Sequence, residues 1–221
     1  MALTRIVGDI HGKFNDYKFF SLGVGRTYHR GDTPPPERSV QVGDFGIGFY
    51  KDYWHGMVND WMKEYPNHRF IRGNHDDPAR CKEMAGYIAD GTVEGDVMYI
   101  GGAWSIDQSM RVEGVSWWRD EELSVMEFDR LLKVYEETKP RVMITHDCPT
   151  SVAWDMFISM GTSIAGRKQF KTRTGEYLEH MWGIHKPEQW YFGHWHETRS
   201  LNLKGTKFQC LGELDYVDVE L

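Results

Sequence analysis

Side chains of three kinds that bind transition metals, His, Asp and Asn, recur in short motifs along the chain. The motifs are Asp9-x-His11, Gly43-Asp44, Gly73-Asn74-His75-Asp76, His146 and Gly193-His194-x-His196. A mixture of imidazole and carboxylate suits Mn, Fe, Zn or Ni, whereas an all-oxygen set would suit Mg or Ca. The residue types therefore predict a transition-metal centre.

The number of candidate ligands indicates how many ions such a centre holds. The motifs contain nine His, Asp and Asn side chains, and even seven of them exceed what a single ion with an open coordination position uses. Two ions about 3.5–4 Å apart, sharing a bridging carboxylate, would use all seven. Such a pair binds a phosphoryl oxygen on each side and lowers the pKa of a water, so that the resulting hydroxide attacks phosphorus in line with the leaving group.

A short apolar segment with the composition of a strand precedes each motif. The predicted strands are 3–7, 39–42, 68–71, 142–145 and 189–192, with further strands at 97–100, 208–211 and 216–221. Helices are predicted at about 14–22, 52–65 and 127–137, and helical structure is also predicted between the strands 142–145 and 189–192. In α/β folds, loops beyond the carboxyl ends of neighbouring strands converge. Five polar loops at five strand ends therefore predict one site.

The five motifs, in this order over residues 8–196, resemble the calcineurin-like metallophosphoesterase family. Each fixed position matches by chance at roughly one in twenty, so accidental agreement of the whole set is negligible. The resemblance implies an α/β fold in which a two-sheet β-sandwich is flanked by helices on both outer faces (α/β/β/α). The length of 221 residues predicts that 1–221 form a single metallophosphoesterase domain.

The resemblance also implies a role for each motif residue. The implied ligands are Asp9, His11 and His196 for the first ion, Asn74, His146 and His194 for the second, and Asp44 as the bridge. His75 would bind no metal but would donate a proton near the leaving oxygen, a role that an imidazole can fill near neutral pH. The expected cofactors are two divalent metal ions, foremost Mn, with Fe, Zn or Ni as alternatives.

After Asp44 the sequence departs from the Ser/Thr protein phosphatases and the dinucleoside-tetraphosphate hydrolases. Those subgroups carry Arg-Gly a few residues further on, where this chain has Phe45-Gly46-Ile47-Gly48. A bidentate phosphate clamp is therefore missing from that place. The arginines that could supply it from elsewhere are Arg72, Arg111, Arg119, Arg167 and Arg173.

The Asp that supports the proton-donating His in the phosphatases is missing as well. Asp76 or Asp77 could replace it, although Asp76 is equally well explained as the cap of a helix beginning at Pro78 or as a residue that orients a ligand.

Residues 103–124 form a long surface excursion with several tryptophans, among them Trp104, Trp117 and Trp118. Their rings could stack on a base or another ring of a substrate. Packing of a loop by large aromatic side chains explains them equally well, and the sequence leaves both interpretations open.

The composition narrows the possible partners. A net charge of −7 disfavours strong non-specific binding to nucleic acid, but bound dications would still attract a phosphate ester. No apolar run approaches the roughly 18 residues of a membrane span, and the first residues do not resemble a signal peptide. Cys81, Cys148 and Cys210 are odd in number and widely spaced, as expected of reduced thiols. A cytoplasmic protein without a membrane partner is expected.

The leading hypothesis is therefore a dinuclear hydrolase of phosphate monoesters or diesters, acting on a small or nucleotide-like substrate with a metal-activated hydroxide. The missing Arg-Gly favours hydrolysis of such small substrates over dephosphorylation of phosphoproteins. The alternative is a Ser/Thr-type phosphoprotein phosphatase, for which Gly8-Asp9-Ile10-His11-Gly12 is a reasonable match. A binding scaffold that has lost catalysis would be expected to show eroded ligands, and here none is eroded.

Overall fold

The first of two β-sheets carries the N-terminal motifs. The computed structural model describes residues 3–22, 36–49, 52–158 and 171–221. The strand order is β10-β1-β2-β3, with β1 at Leu3–Val7, β2 at Arg38–Gln41, β3 at His68–Phe70 and β10 at Tyr216–Glu220. Strands β1, β2 and β3 run parallel to one another, and β10 pairs antiparallel with β1. The carboxyl ends of β1, β2 and β3 therefore lie at the same edge of the sheet.

The second sheet has the order β4-β5-β6-β7-β9-β8. Its strands are β4 (Val93–Glu94), β5 (Val97–Ile100), β6 (Val142–Thr145), β7 (Gln189–Phe192), β8 (Arg199–Leu203) and β9 (Thr206–Cys210). The four central strands are parallel, and antiparallel strands form both edges. The central strands β5 and β6 are buried along their whole length, as expected when both faces of a parallel sheet are covered.

Six helices are found in the described part of the chain. They are α1 (Phe14–Leu22), α2 (Asp52–Glu64), α3 (Pro78–Cys81), α4 (Val125–Thr138), α5 (Thr150–Ala153) and α6 (Arg173–Ile184), with a π-helical turn at Trp154–Ile158. The sequence of α4 explains its boundaries and its buried face. Ser124 and Glu127 form a capping box at its start, and Phe128, Leu131 and Tyr135 bury one face.

The two sheets pack face to face between two helical layers. Ile6 and Val40 of the first sheet share an apolar cluster with Val142 and Ile144 of the second. The outer face of the first sheet packs against α1 and α2, through side chains such as Tyr17, Trp61 and Phe70. The outer face of the second packs against α4 and α6, through Leu131, Trp182 and Phe208. The predicted α/β/β/α sandwich is thus confirmed.

The predicted elements differ from the observed ones mainly at their ends, by one or two residues. Two strands were not predicted. β4 has only two residues, and β8 is an edge strand with only two apolar side chains, Leu201 and Leu203, both partly buried, so the apolar pattern of each is too short to predict a strand. The segment 30–37, which its three successive prolines predict to be a loop, lies partly outside the described residues. Within the described ranges, no helix has both the length and the apolar character needed to span a membrane. The single-domain organisation remains a prediction.

Candidate metal centre

The loops that follow five parallel strands meet at one edge of the sandwich. Asp9 follows β1, Asp44 follows β2, and Asn74 follows β3, while His146 and His194 follow β6 and β7. Backbone hydrogen bonds join these loops to each other. The amide of His11 donates to the carbonyl of Asp44 at 2.8 Å, and that of Gly193 donates to the carbonyl of His146 at 3.1 Å. The convergence expected from the strand order is therefore present.

Four of the predicted ligands form a first group. Asp9, His11, Asp44 and His196 each offer one ligand atom, and these atoms all lie within 4.8 Å of one another. Nε2 of His11 lies 3.1 Å from Nε2 of His196, which in turn lies 3.3 Å from a carboxylate oxygen of Asp9. This is the group that the family resemblance assigns to the first ion and its bridge.

The remaining predicted ligands form a second group around the side-chain oxygen of Asn74. That oxygen lies 3.0 Å from Nε2 of His146 and 2.9 Å from Nδ1 of His194. Nε2 of His146 is also 3.4 Å from a carboxylate oxygen of Asp44. Asp44 thus contacts both groups, which is the position of a bridging ligand. All seven predicted ligands come together, although their binding of metal stays a prediction.

The hydrogen bonds around His146 test whether these residues fit a cation. Its Nδ1 lies 2.9 Å from the carbonyl of Val42, which can only accept, so in a neutral ring Nε2 carries a lone pair. The Asn74 amide nitrogen donates to Ser105, which turns the Asn74 oxygen toward the same point. Lone pairs of His146, Asn74 and Asp44 therefore converge there. A divalent cation between them fits this donor set.

The buried carboxylates lead to the same conclusion. Asp9 and Asp44 are both buried, and in the described structure no Lys or Arg side chain pairs with either of them. Burial alone would raise the pKa of Asp44, but the imidazoles of His146, His75 and His11 hold it well below its usual range. Burial lowers the pKa of His194. Burial acts in the same direction on His146, but Asp44 and Asp9 outweigh it and raise its pKa, and a hydrogen bond with Asp9 raises the pKa of His196. A cation would therefore displace protons from these two rings. An ionised carboxylate and a neutral imidazole are the forms that bind metal ions.

The backbone is strained at four of the seven predicted ligands. His11, Asp44, His194 and His196 have φ angles of 44°, 53°, 66° and 53°. This left-handed region costs a non-glycine residue on the order of 1–3 kcal/mol, and such strain clusters at functional sites. Close packing accompanies the strain, since a Cβ on Gly73 would lie 2.1 Å from a carboxylate oxygen of Asp44. The loops are therefore shaped to aim these side chains inward.

Neither Asp76 nor Asp77 supports the ring of His75, and Asp76 does not cap α3. Asp77, not Asp76, caps α3, by accepting from the amides of Ala79 and Arg80. Asp76 is buried and accepts from four backbone amides of the two loops that carry Asp44 and Asn74. In the described structure neither carboxylate is bonded to the imidazole of His75. Asp76 therefore organises the loops rather than orienting that ring.

His75 lies at the border of the centre. Its Nδ1 is 3.7 Å from a carboxylate oxygen of Asp44. Its Nε2 is 2.7 Å from Nη2 of Arg111, and because a guanidinium can only donate, this nitrogen acts as the acceptor. Burial lowers the pKa of His75, Asp44 opposes that effect, and Arg111 adds to it. The proton-donating role of His75 stays a prediction.

Ser105 and Glu121 support the centre and were not predicted from the sequence. The hydroxyl of Ser105 accepts a hydrogen bond from the side-chain amide nitrogen of Asn74 at 3.0 Å and donates one to the carboxylate of Glu121 at 2.6 Å. Glu121 is buried, and this burial raises its pKa. A single Ser and a single Glu in a loop carry no motif, so only the folded contacts identify them.

A pocket of about 280 Å³ borders the predicted ligands His194 and His196. Trp104, Ile106 and Trp195 supply much of its apolar wall. Trp118, in contrast, is buried and packs against Phe49, with ring centroids 5.5 Å apart. Packing of the loop therefore explains Trp118. Trp104 faces a pocket, and its stacking on a ring of the substrate stays a hypothesis.

Three solved structures illustrate the likenesses found for this chain. A phosphopantetheinyl hydrolase from Mycobacterium tuberculosis is 13% identical, with a TM-score of 0.45 over 96% of this chain and 90% of that one. A protein of Thermotoga maritima is 16% identical, with a TM-score of 0.42 over 100% and 92%. A protein serine/threonine phosphatase from Saccharomyces cerevisiae is 14% identical, with a TM-score of 0.28 over 96% and 54%. No family model and no curated protein matches the chain. Likenesses this distant do not establish a function.

Proposed function

We propose that this chain is a calcineurin-like metallophosphoesterase that hydrolyses phosphate esters at a dinuclear centre. The observation that carries the proposal is the meeting of seven side chains in two groups that share Asp44. The proposed ligands are Asp9, His11 and His196 on one side, Asn74, His146 and His194 on the other, and Asp44 between them. We take Mn as the first candidate metal because the set mixes imidazoles with carboxylates.

The protein side chains supply charge balance, orientation and a proton. Divalent cations at this centre would polarise the phosphoryl group and make a water molecule a better nucleophile at neutral pH. Asp9 and Asp44 balance the charge of the cations, and Ser105 keeps the Asn74 oxygen turned toward them. The imidazole of His75 lies beside Asp44 and donates the proton that the departing alkoxide oxygen requires.

The dimensions of the neighbouring pocket support a small substrate. Ligand pockets commonly enclose about 300–1,000 Å³, and the pocket beside His194 and His196 holds about 280 Å³. Its apolar wall, formed partly by Trp104 and Trp195, suits a ring or a short organic group. We therefore prefer a small or nucleotide-like ester to a phosphoprotein as the substrate.

The first prediction tests the centre with two substitutions. Mn-loaded protein should hydrolyse p-nitrophenyl phosphate or its bis ester. Asp44→Asn should lose bound metal and activity together, because the bridging charge is removed. His75→Ala should keep its metal. It should lose about 10²–10⁴-fold in turnover of an alkyl phosphate ester, as expected for the loss of a general acid, and less with the p-nitrophenyl esters, whose phenolate leaves without a proton. Metal content by elemental analysis and initial rates measure both effects.

Asp60→Asn is a matched control, because Asp60 is an exposed residue of α2 that pairs with Lys63. It should behave like the wild type. A wild-type protein that binds two metal ions but cleaves neither ester would contradict the phosphoesterase proposal. A protein that binds no metal would contradict the site assignment itself. Faster hydrolysis of a phosphopeptide than of a cyclic nucleotide diester would favour the phosphoprotein phosphatase alternative.

A further inference from the structure

Most of the arginines that could bind the substrate phosphate are engaged elsewhere. Arg72 is buried and bonds to Asp90 and to the carbonyls of residues 120 and 121. Arg119 has 79% of its side chain exposed and pairs with Glu113. Arg173 pairs with Glu122 at 3.7 Å. Arg167 lies outside the described residues. Of the four candidates that can be placed, only Arg111 contacts a predicted site residue.

We propose that Arg111 is the phosphate-binding arginine of this centre, held in position by Asp107. The inference rests on the proposed function and adds a substrate-contacting residue to it. Arg111 comes from the excursion between β5 and α4, not from the loop after Asp44. The excursion thus supplies a guanidinium beside His75 that the Gly43-Asp44 loop lacks.

Asp107 fixes the guanidinium before any substrate arrives. Two parallel hydrogen bonds join them, from Nε at 2.6 Å and from Nη2 at 2.7 Å. The Arg111 contact lowers the pKa of the Asp107 carboxyl, so the partner is ionised. Nη1 donates to the carbonyl of Ser116 at 3.0 Å. A side chain ordered in this way loses little further freedom when it binds an anion.

One N–H of Arg111 faces the centre and is the one that substrate can take. The described hydrogen bonds use four of the five guanidinium donors, and the fourth goes to Nε2 of His75. A phosphoryl oxygen bears negative charge, so its bond to the guanidinium joins two opposite charges, whereas the acceptor nitrogen of His75 is uncharged. The contact with His75 can therefore be exchanged for a contact with the phosphate, next to the residue proposed to protonate the leaving oxygen.

The loop after Asp44 cannot present such an arginine. Phe45 and Ile47 are buried, and the amides of residues 45–47 are all held by Asp76. Phe49, just beyond, has its ring centroid 5.8 Å from the ring of His75 and 5.8 Å from the guanidinium carbon of Arg111. The loop thus places an aromatic ring beside His75 and Arg111, and the positive charge there comes from the excursion.

The second prediction concerns phosphate binding by an Arg111 variant. Arg111→Gln should weaken the binding of inorganic phosphate to Mn-loaded protein by about 10–100-fold, with metal content unchanged, because a charge-assisted contact is lost. Titration calorimetry gives the dissociation constant without any turnover. In p-nitrophenyl phosphate hydrolysis, KM should rise at least as much as kcat falls. Arg111→Lys should recover only part of the loss, because an ammonium lacks the planar fork by which Asp107 holds the side chain in position.

Arg119→Gln is the matched control, since Arg119 lies in the same excursion and is also paired with a carboxylate. It should bind phosphate as the wild type does. An Arg111→Gln protein that holds its metal and binds phosphate within twofold of the wild type would overturn the inference. If that variant fails to fold, wild-type phosphate affinity in Arg111→Lys would overturn it instead. A wild type without metal or activity would contradict the proposed function, which is a separate outcome.

Discussion

At the scale of single residues, Asp76 has the largest share in shaping the loops around the candidate centre. Its carboxylate accepts from the amides of Phe45, Gly46, Ile47 and Gly73, at 2.6 to 3.0 Å. These amides belong to the two loops that present Asp44 and Asn74. One buried side chain therefore holds together loops that follow different strands.

The third prediction compares Asp76 with its neighbour. Asp76→Asn places an amide group against four donors, so part of this bonding is lost. The free energy of unfolding should fall by about 1–3 kcal/mol, as for buried donors left without an acceptor. Burial and the neighbouring Asp44 raise the pKa of Asp76, which offsets part of what its charge contributes. Urea unfolding of metal-free protein measures this value.

Asp77→Asn is the control, because Asn caps a helix about as well as Asp and the change should stay within about 0.5 kcal/mol. Equal effects of the two substitutions would show that Asp76 has no special structural role.

The sequence alone predicts which side chains meet at this scale, but not which contacts support them. His, Asp and Asn at fixed spacing identify the seven candidate ligands, because their chemistry is specific. Asp76 and Asp77 were both considered as supports of His75, and neither is bonded to its ring. The contact of His75 with Arg111 joins residues 36 positions apart. No local pattern reports such a contact.

At the scale of elements, the excursion between β5 and α4 contributes most to the site outside the motifs. It carries Trp104 on the pocket wall, Ser105 bonded to Asn74, and Arg111 bonded to His75. It has little regular structure apart from a 3₁₀ turn at Gln108–Met110. Strands and helices with clear apolar periodicity could be predicted, whereas the path of this loop depends on side chains from other parts of the chain.

The fourth prediction concerns the pocket that this excursion helps to form. Trp104→Ala removes an aromatic wall, so KM for p-nitrophenyl phosphate should rise about 5–10-fold, consistent with about 1–1.5 kcal/mol for an aromatic contact. KM for O-phosphoserine, which has no ring, should change much less. Steady-state kinetics on the two substrates measure the ratio.

Trp54→Ala serves as a control, because Trp54 is a partly exposed residue of α2 and does not line the pocket. Equal changes for both substrates would argue against a binding role for Trp104.

At the scale of the whole molecule, the two sheets share the centre between them. Loops of the first sheet supply Asp9, His11, Asp44 and Asn74, and loops of the second supply His146, His194 and His196. The sandwich itself could be expected only through the family resemblance. Periodicity indicated the strands, but which strands pair depends on contacts between distant residues.

The fifth prediction follows from this sharing. A ligand that binds only the folded state stabilises it, by about 2.7 kcal/mol at a concentration of 100 times its Kd. Addition of Mn should therefore raise Tm by several degrees, and a chelator should reverse the change. Calorimetry or circular dichroism detects the shift. Asp44→Asn should respond weakly or not at all, and an equal shift in that variant would place the bound metal elsewhere.

The pairing of β1 with β10 has a consequence for the order of events during synthesis. Leu3 lies opposite Glu220 in that ladder, so one edge of β1 stays unpaired until residues near 220 leave the ribosome. The contact between His11 and His196 likewise cannot form until His196, which is 185 positions later in the sequence, has been synthesised. A nascent chain therefore displays Asp9, His11 and Asp44 long before their partners exist. The complete candidate centre can form only after residues near 196 have left the ribosome, and the early candidate ligands are open to the wrong cation until then.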